Sequence, residues 1–349
     1  MGLAALMLPL LLCGFGPPRV GDRLQLPDFD VQTSQMHGIQ QAAVPALTAK
    51  AALLLDFASN RVLYEKASRQ PLPPASTTKI MTALLTLEKG GNLDDQTTVS
   101  PQAAAEPGTR MELAQGERLT IRELMYGLLL PSGNDAAIAI AQYDAGSLAA
   151  FLERMNARAT ALGLGDTHFA DPDGIDDTHD RMSAYDVSQL ARFALTSQPL
   201  FAQIVSTAHV VLPAQPGHPA FDLTNLNQLL GSYPGADGVK TGTTPGAGQN
   251  LVGSATRSGQ RLMAVVYGSQ DRYADARKLL DNGFGSYVWF RAEAYVRFPL
   301  PVSFQSPGEA LLPAWEASQV QAFLDPDALT ATFSIAGKPV LTAPMTPNS

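Results

Sequence analysis

Three short motifs in fixed order constrain this chain of 349 residues more than anything else in it: Ser76-Thr77-Thr78-Lys79, Ser132-Gly133-Asn134 and Lys240-Thr241-Gly242. A Ser and a Lys three residues apart recur by chance in many proteins, so the tetrapeptide alone says little. Its setting says more. Pro73-Pro74-Ala75 precede it and Ile80-Met81-Thr82-Ala83-Leu84-Leu85 follow, which predicts a buried apolar helix with Ser76 at its start. There the Ser Oγ lies near unpaired backbone N–H groups and the positive end of the helix dipole. Lys79 falls on the same face one turn later. Burial among apolar neighbours, and a second cation at Lys240, are expected to lower the Lys79 pKa. A neutral amine so placed takes the proton of the hydroxyl, which activates an otherwise weak nucleophile. A helix cap beside a solvent-facing Lys explains the tetrapeptide alone, but not the three motifs together.

The second motif is expected in the turn between two helices, where Gly133 permits close backbone approach. Ser132 can relay a proton toward a leaving amine, and Asn134 can hold Lys79 and donate to a substrate amide. Around the third, Asp237-Gly238-Val239-Lys240-Thr241-Gly242 reads as a strand. A phosphate loop needs Gly directly before the Lys, and Val239 stands there instead, which excludes nucleotide binding of that kind. As a strand it sets Lys240 and Thr241 beside a substrate carboxylate, with Gly242 leaving room for a substrate backbone along the edge. None of the five His forms a metal-ligand pair at helical or finger spacing, so neither a metal nor another cofactor is expected. Asp171-Pro172-Asp173-Gly174-Ile175-Asp176-Asp177 resembles a calcium loop only superficially, because Met182 stands where the closing Glu belongs; it reads as a solvated turn.

The remaining sequence sets the organisation. Leu3 to Phe15 is an apolar run of about 13 residues, too short to span a bilayer and suited to the core of an export signal, although no Lys or Arg precedes it. Residues 1–22 are therefore assigned to a signal peptide and 23–44 to a polar leader. Lipid attachment at Cys13 is disfavoured by Leu12 directly before it. Cys13 is the single cysteine, so no disulfide forms within the chain. A net charge of −8 without a basic stripe argues against nucleic acid as a partner. Ala51–Asp56 and Arg61–Glu65 read as a hairpin, and Leu119–Leu130 as a helix opened by a Thr120/Glu123 capping box. Helices are also expected over Asp135–Tyr143, Leu148–Leu162, Ala184–Leu195 and from Ala274. Strands are expected over Leu251–Ala255 and Arg261–Tyr267. Strands at both ends of this unit with helices between them predict an α+β domain over 45–285, an antiparallel sheet covered by a helical cluster. Short β-like runs over 286–345, among them Tyr295–Phe298 and Thr330–Ile335, predict a small separate β domain.

With those elements in place the chain resembles the low-molecular-mass penicillin-binding proteins, specifically the D-alanyl-D-alanine carboxypeptidase family of serine peptidases. The likeness runs over roughly Ala43 to Gly285. It includes Thr167-His168-Phe169-Ala170-Asp171-Pro172-Asp173-Gly174, Thr224-Asn225-Leu226-Asn227-Gln228 and Ala247-Gly248-Gln249-Asn250-Leu251. The resemblance implies Ser76 as the acylated nucleophile, Lys79 as its base, and Ser132 and Asn134 lining the cleft. It gives Lys240, Thr241 and Gly242 to the substrate, with the N–H groups of Ser76 and Thr243 as oxyanion donors. Family members often carry His where this chain has Thr243. Arg272 falls where the family places an Arg near the terminal carboxylate. The implied partners are peptidoglycan stem peptides ending in D-Ala-D-Ala, and β-lactams as covalent inhibitors. The implied location is extracytoplasmic. No basic amphipathic helix is read at the C-terminus, so a peripheral membrane anchor there is not expected. Endopeptidase action on crosslinks shares this chemistry. A β-lactamase is disfavoured because no Glu-x-x-Leu-Asn segment lies between Asn134 and Lys240, and intact motifs disfavour a non-catalytic penicillin sensor.

Overall fold

An unbroken apolar run gives the first strand its place. Ala51–Asp56 (β1) is buried along its whole length, and such a strand needs neighbours at both edges and cover on both faces. The structure, a computed structural model, describes residues 46–175, 178–292, 302–305, 308–317, 319–325 and 328–347. The signal, the leader, Cys13 and the strand expected over Tyr295–Phe298 lie outside the described residues. β1 turns back into Val62–Lys66 (β2) through a tight hairpin. The Asp56 carboxylate accepts from Ser59 N–H at 2.9 Å and Ser59 Oγ at 2.5 Å, and Asn60 takes a left-handed φ of 59°. On its other edge β1 meets the last of three consecutive strands, Ala236–Thr244 (β3), Gly248–Arg257 (β4) and Gln260–Ser269 (β5). The sheet runs β2-β1-β5-β4-β3, antiparallel throughout, and leaves β3 at an edge.

Five longer helices lie between β2 and β3 in the chain: Lys79–Glu88 (α1), Ile121–Leu129 (α2), Asn134–Ala145 (α3), Leu148–Ala161 (α4) and Ala184–Ser197 (α5). Their starts follow from local chemistry. Thr120 Oγ1 accepts from Glu123 N–H at 3.2 Å and Glu123 Oε2 from Thr120 N–H at 2.8 Å, the reciprocal cap read from the sequence. α3 ends at Gly146, whose φ of 75° stops it. α1 is buried from Lys79 to Thr86. It packs in one core with Leu53 and Leu55 of β1, Leu124 and Leu128 of α2, Ile140 of α3, Leu190 of α5 and Val265 of β5. Each such side chain contributes about 1.5–3 kcal/mol by leaving water. Leu54 points to the opposite face, as strand alternation requires, and Arg272–Ser286 (α6) covers it there. Gly283 lies so close that a Cβ would stand 2.5 Å from Leu262 and 2.8 Å from Leu54.

Among the elements that escaped the sequence reading are the helix Pro199–Val205 and two small hairpins, Gln96–Thr98 with Arg118–Thr120 and His209–Leu212 with Phe221–Thr224. The chain divides after Gly285, with Ala42–Gly285 as one unit and Ser286–Ser349 in the other. In the second unit Tyr287–Arg291 (β6) pairs with Glu309–Pro313 (β8). Val302–Phe304 (β7), Gln321–Asp325 (β9), Thr330–Ile335 (β10) and Lys338–Pro347 (β11) form a sheet in the order β7-β11-β10-β9. Phe290, Leu312, Phe333 and Met345 make its core, with the Phe290 and Phe333 rings edge-on at 5.1 Å. Among the described residues no helix is long and apolar enough to cross a membrane.

Candidate active site

Ser76 does not begin the α-helix itself. Ala75–Thr78 forms a single 3-10 turn ahead of α1, with Ala75 at a left-handed φ of 49°. Pro73 and Pro74 stiffen the entry, and the core pins the turn. Thr77 Oγ1 donates to Pro74 O at 2.7 Å and also meets the buried Tyr267 hydroxyl at 2.6 Å. Asn250 Nδ2 donates to the Pro73 and Pro74 carbonyls at 2.9 and 3.1 Å. Gly242 of β3 presses against the same turn: a Cβ there would lie 3.1 Å from Ser76 N and from Pro74 O. The missing side chain thus has a packing cause beside the substrate role read from the sequence. A side chain three residues away, on Lys79, reaches back to donate to Ser76 Oγ at 3.1 Å.

The Lys79 ammonium is fully buried and donates further to Asn134 Oδ1 at 2.7 Å and to the carbonyl of Asp173 at 2.5 Å. Burial lowers its pKa to about 8, against the opposing pull of Asp173, Asp171, Asp135 and Glu106. Cation–cation repulsion falls elsewhere than expected. Lys240 is the amine held well below its ordinary value, by burial first and then by Lys79 and Arg272. Lys240 Nζ donates to Ser132 Oγ at 2.8 Å and to Thr241 O at 3.0 Å. Two buried amines therefore flank two hydroxyls, Lys79 on Ser76 and Lys240 on Ser132.

Ser132 takes a left-handed φ of 66° in the turn between α2 and α3. A Cβ on Gly133 would stand 2.7 Å from Asp135 Oδ1 and 3.0 Å from Gly127 O, so only glycine fits. The Asp135 carboxylate accepts from Met111 and Leu113 N–H, each at 2.9 Å, and Asn134 Nδ2 donates to Pro107 O at 2.6 Å. Residues 107–113 are thereby fastened to the start of α3, and Asn134 is aimed at Lys79.

The Asp171–Gly174 segment is not a solvated turn. Pro172, Asp173 and Gly174 are buried, the Pro172 carbonyl accepts from Thr82 Oγ1 at 2.6 Å, and the Asp173 carbonyl accepts from Lys79. Gly174, at φ 81°, runs so close to the Ser76 turn that a Cβ would fall 2.0 Å from Ala75 O. The contacts are made by backbone carbonyls, which carry no side-chain signature. The usable signal was the glycine at the end of the Asp-Pro-Asp-Gly run.

Arg272 opens α6 half-buried behind β3. Its Nη1 donates to the carbonyls of Gly242 and Asn250, both at 2.9 Å, and its Nη2 donates to Thr243 Oγ1. The structure thus brings Lys79 into side-chain contact with Ser76 and Asn134, and Lys240 into side-chain contact with Ser132. It places Gly242 against the Ser76 turn, and Thr243 with Arg272 at the exposed end of the same strand. Thr241 follows Lys240 there, buried.

Comparison with known proteins shows a family and a shared fold. The family profile described as D-alanyl-D-alanine carboxypeptidase matches residues 38–271. The D-alanyl-D-alanine carboxypeptidase DacF of Bacillus subtilis is 38% identical over 246 residues, which are 68% of this chain and 63% of that protein. The chain thus spans somewhat less than two thirds of that relative's length. A Streptomyces DD-transpeptidase of known crystal structure is 34% identical, with a TM-score of 0.65 over 69% of this chain and 98% of that one. The crystal structure of a D-alanyl-D-alanine carboxypeptidase from Francisella tularensis, 24% identical, shares the fold over 89% of this chain and 95% of its own, with a TM-score of 0.72.

Proposed function

Because the chain belongs to the D-alanyl-D-alanine carboxypeptidase family of serine peptidases, we propose that it removes the terminal D-Ala from peptidoglycan stem peptides through an acyl-enzyme on Ser76, outside the cytoplasm. One observation carries the reading: a fully buried amine with a pKa of about 8 stands 3.1 Å from the Ser76 hydroxyl. Neutral Lys79 takes the hydroxyl proton as Oγ bonds to the carbonyl carbon of the penultimate D-Ala. The N–H groups of Ser76 and Thr243 receive the developing oxyanion. The peptide C–N bond then breaks, and the proton that Lys79 took is relayed by way of Ser132 to the departing amine, which leaves Lys79 neutral again. Water hydrolyses the ester with Lys79 again as base. Thr241, Thr243 and the Arg272 fork behind them suit the substrate's terminal carboxylate. β-Lactams acylate the same serine and inhibit. The test incubates the protein with an acyl-D-Ala-D-Ala peptide and with a fluorescent penicillin. Release of D-Ala together with a long-lived penicillin adduct is expected. Fast penicillin turnover without D-Ala release would make the protein a β-lactamase instead.

The likeness to a DD-transpeptidase favours a second outcome of the same intermediate, capture by an amine. Adding glycine or an amino-terminal peptide to the assay separates the two, since transfer yields a new peptide where hydrolysis yields the shortened acid.

A further inference from the structure

The sheet breaks its register beside the serine turn. Between the pairs Gln249–Ser269 and Leu251–Val266, one residue of β4, Asn250, stands opposite two of β5, Tyr267 and Gly268. A bulge of this kind re-aims side chains, and bulges gather next to active sites. Here two side chains from the bulge end on the serine turn. The Tyr267 hydroxyl meets Thr77 Oγ1 at 2.6 Å, and because the Thr77 proton goes to Pro74 O, Tyr267 is the donor. Asn250 is wholly buried, and its amide spans the gap between bulge and turn. Its Oδ1 accepts from Gly268 N–H at 2.8 Å, while its Nδ2 donates to the carbonyls of Pro73 at 2.9 Å and Pro74 at 3.1 Å. The acylation steps above give Asn250 no task. Yet they need two N–H groups from separate segments to meet at one oxygen, Ser76 N–H from the turn and Thr243 N–H from β3. Those segments touch at Gly242, where a Cβ would fall 3.1 Å from Ser76 N. Gly242 and Asn250 are cross-strand partners in the β3–β4 ladder. Asn250 is therefore fixed to the Thr243 strand by its main chain and to the residues just before Ser76 by its side chain.

We propose that Asn250 is a positioning residue, holding the serine turn against β3 so that the N–H groups of Ser76 and Thr243 converge on the oxyanion. The inference rests on the acyl-enzyme reading. Donors stabilise a developing charge only when they are already set at hydrogen-bond distance from it. A turn free to slide by about an ångström would still admit substrate but would lose rate. Packing alone asks only for volume at position 250. The bonds to two successive carbonyls ask for a side chain with two N–H donors on one nitrogen, and the Gly268 N–H asks for an acceptor beside it, which is the inventory of an amide.

The test uses the full chain and two variants. Asn250→Asp keeps the shape and turns the Nδ2 donor into an acceptor, and Asn250→Ser removes the span. End-point labelling with fluorescent penicillin counts the competent active sites, and rates are taken per site. For D-Ala release from an acyl-D-Ala-D-Ala peptide, kcat should fall about 10- to 100-fold in both variants with KM within about 3-fold of normal. A second readout compares an acyl-D-Ala-D-lactate ester with its thiono analogue, in which sulfur replaces the attacked carbonyl oxygen. The unaltered protein should prefer the oxygen ester, because its donors are set for an oxyanion, and the preference should shrink in both variants. An unchanged preference for oxygen over sulfur, or a kcat per site within a few-fold of normal, overturns the proposal and leaves the D-Ala-D-Ala reading standing. So does failure of both variants to fold, which makes Asn250 a structural residue. An unaltered protein that releases no D-Ala and takes no penicillin overturns the reading together with the proposal.

Discussion

The chemistry concentrates at two amines that burial has made weak bases. Lys79 and Lys240 sit in one site with no carboxylate hydrogen-bonded directly to either nitrogen among the described contacts; their acceptors are hydroxyls, an amide and carbonyls. Neutral acceptors leave the proton on Lys79 easier to remove than a salt bridge would. Lys79→Arg should therefore be nearly as damaging as removing the nucleophile, since Arg stays protonated; penicillin acylation within a few-fold of normal in that variant would contradict a Lys base. Ser76→Ala should abolish the penicillin adduct while circular dichroism and melting stay near normal, because one hydroxyl oxygen is lost. An adduct found by mass spectrometry in that variant would place the nucleophile elsewhere. The pH dependence has a definite sign. The acting form is the neutral amine, so the penicillin acylation rate should rise with pH and level off above about 8. A rate that is flat from pH 6 to 9 would exclude Lys79 as the titrating base. Much of this was legible in the sequence, because an amine and a hydroxyl three residues apart advertise themselves. The exchange of roles between the two lysines was not, since it depends on which amine faces Arg272 and which faces the acids.

At the scale of elements, the serine turn is held from two sides by glycines. Gly242 of β3 touches it across one side, and Gly174 of the Asp171–Ile175 segment across the other. Gly174→Ala adds a Cβ 2.0 Å from the Ala75 carbonyl and puts alanine at a φ of 81°. Left-handed backbone and overpacking together should cost roughly 2–5 kcal/mol. The cost should appear as a lower melting temperature and slower acylation, because Ser76 follows Ala75 directly. Unchanged melting and unchanged acylation would mean the segment stands off the turn. Arg272 works on the same scale, tying α6 to the β3 carbonyl at Gly242 and the β4 carbonyl at Asn250. Arg272→Ala should cut kcat/KM for D-Ala-D-Ala peptides by about 30- to 1000-fold through lost charge-assisted bonds. A thioester substrate lacking the terminal carboxylate separates its two tasks. Greater loss on the peptide points to carboxylate recognition, and equal loss points to the strap on β3. Elements announced by their own side chains were readable: the all-apolar β1, the Thr120/Glu123 cap and the strand through Lys240. The 3-10 turn at Ser76 and the His209–Leu212 hairpin were not. The first is set by contacts from β3, β4 and β5, and the second pairs across a loop containing Pro213, Pro216 and Pro219 that hides its alternation.

For the whole molecule, the site is a meeting point of segments far apart in the chain, and the acids that close it sit beneath the serine turn. The motif order could be read from the sequence, while Thr77, Asn250, Tyr267 and the Asp173 carbonyl join the site only through the fold. Asp180 belongs to this buried layer. It bridges toward Thr78 Oγ1 at 3.4 Å, its Oδ1 has no partner among the described residues, and it lies 4% exposed. Burial, reinforced by repulsion from Asp171, raises its pKa from 3.8 to about 8. The folded chain thus keeps a proton that the unfolded chain releases near pH 4. Between those values the unfolded state binds fewer protons, so this group's contribution to stability is full below pH 3.8 and is lost as pH rises toward 8. Asp180→Asn keeps the shape and removes the titration. The gain in melting temperature over the unaltered protein should grow from pH 5 to pH 8, where Asn spares the cost of burying a carboxylate. A gain that stays constant across that range, or that shrinks toward alkaline pH, would show that Asp180 is already ionised in the folded chain.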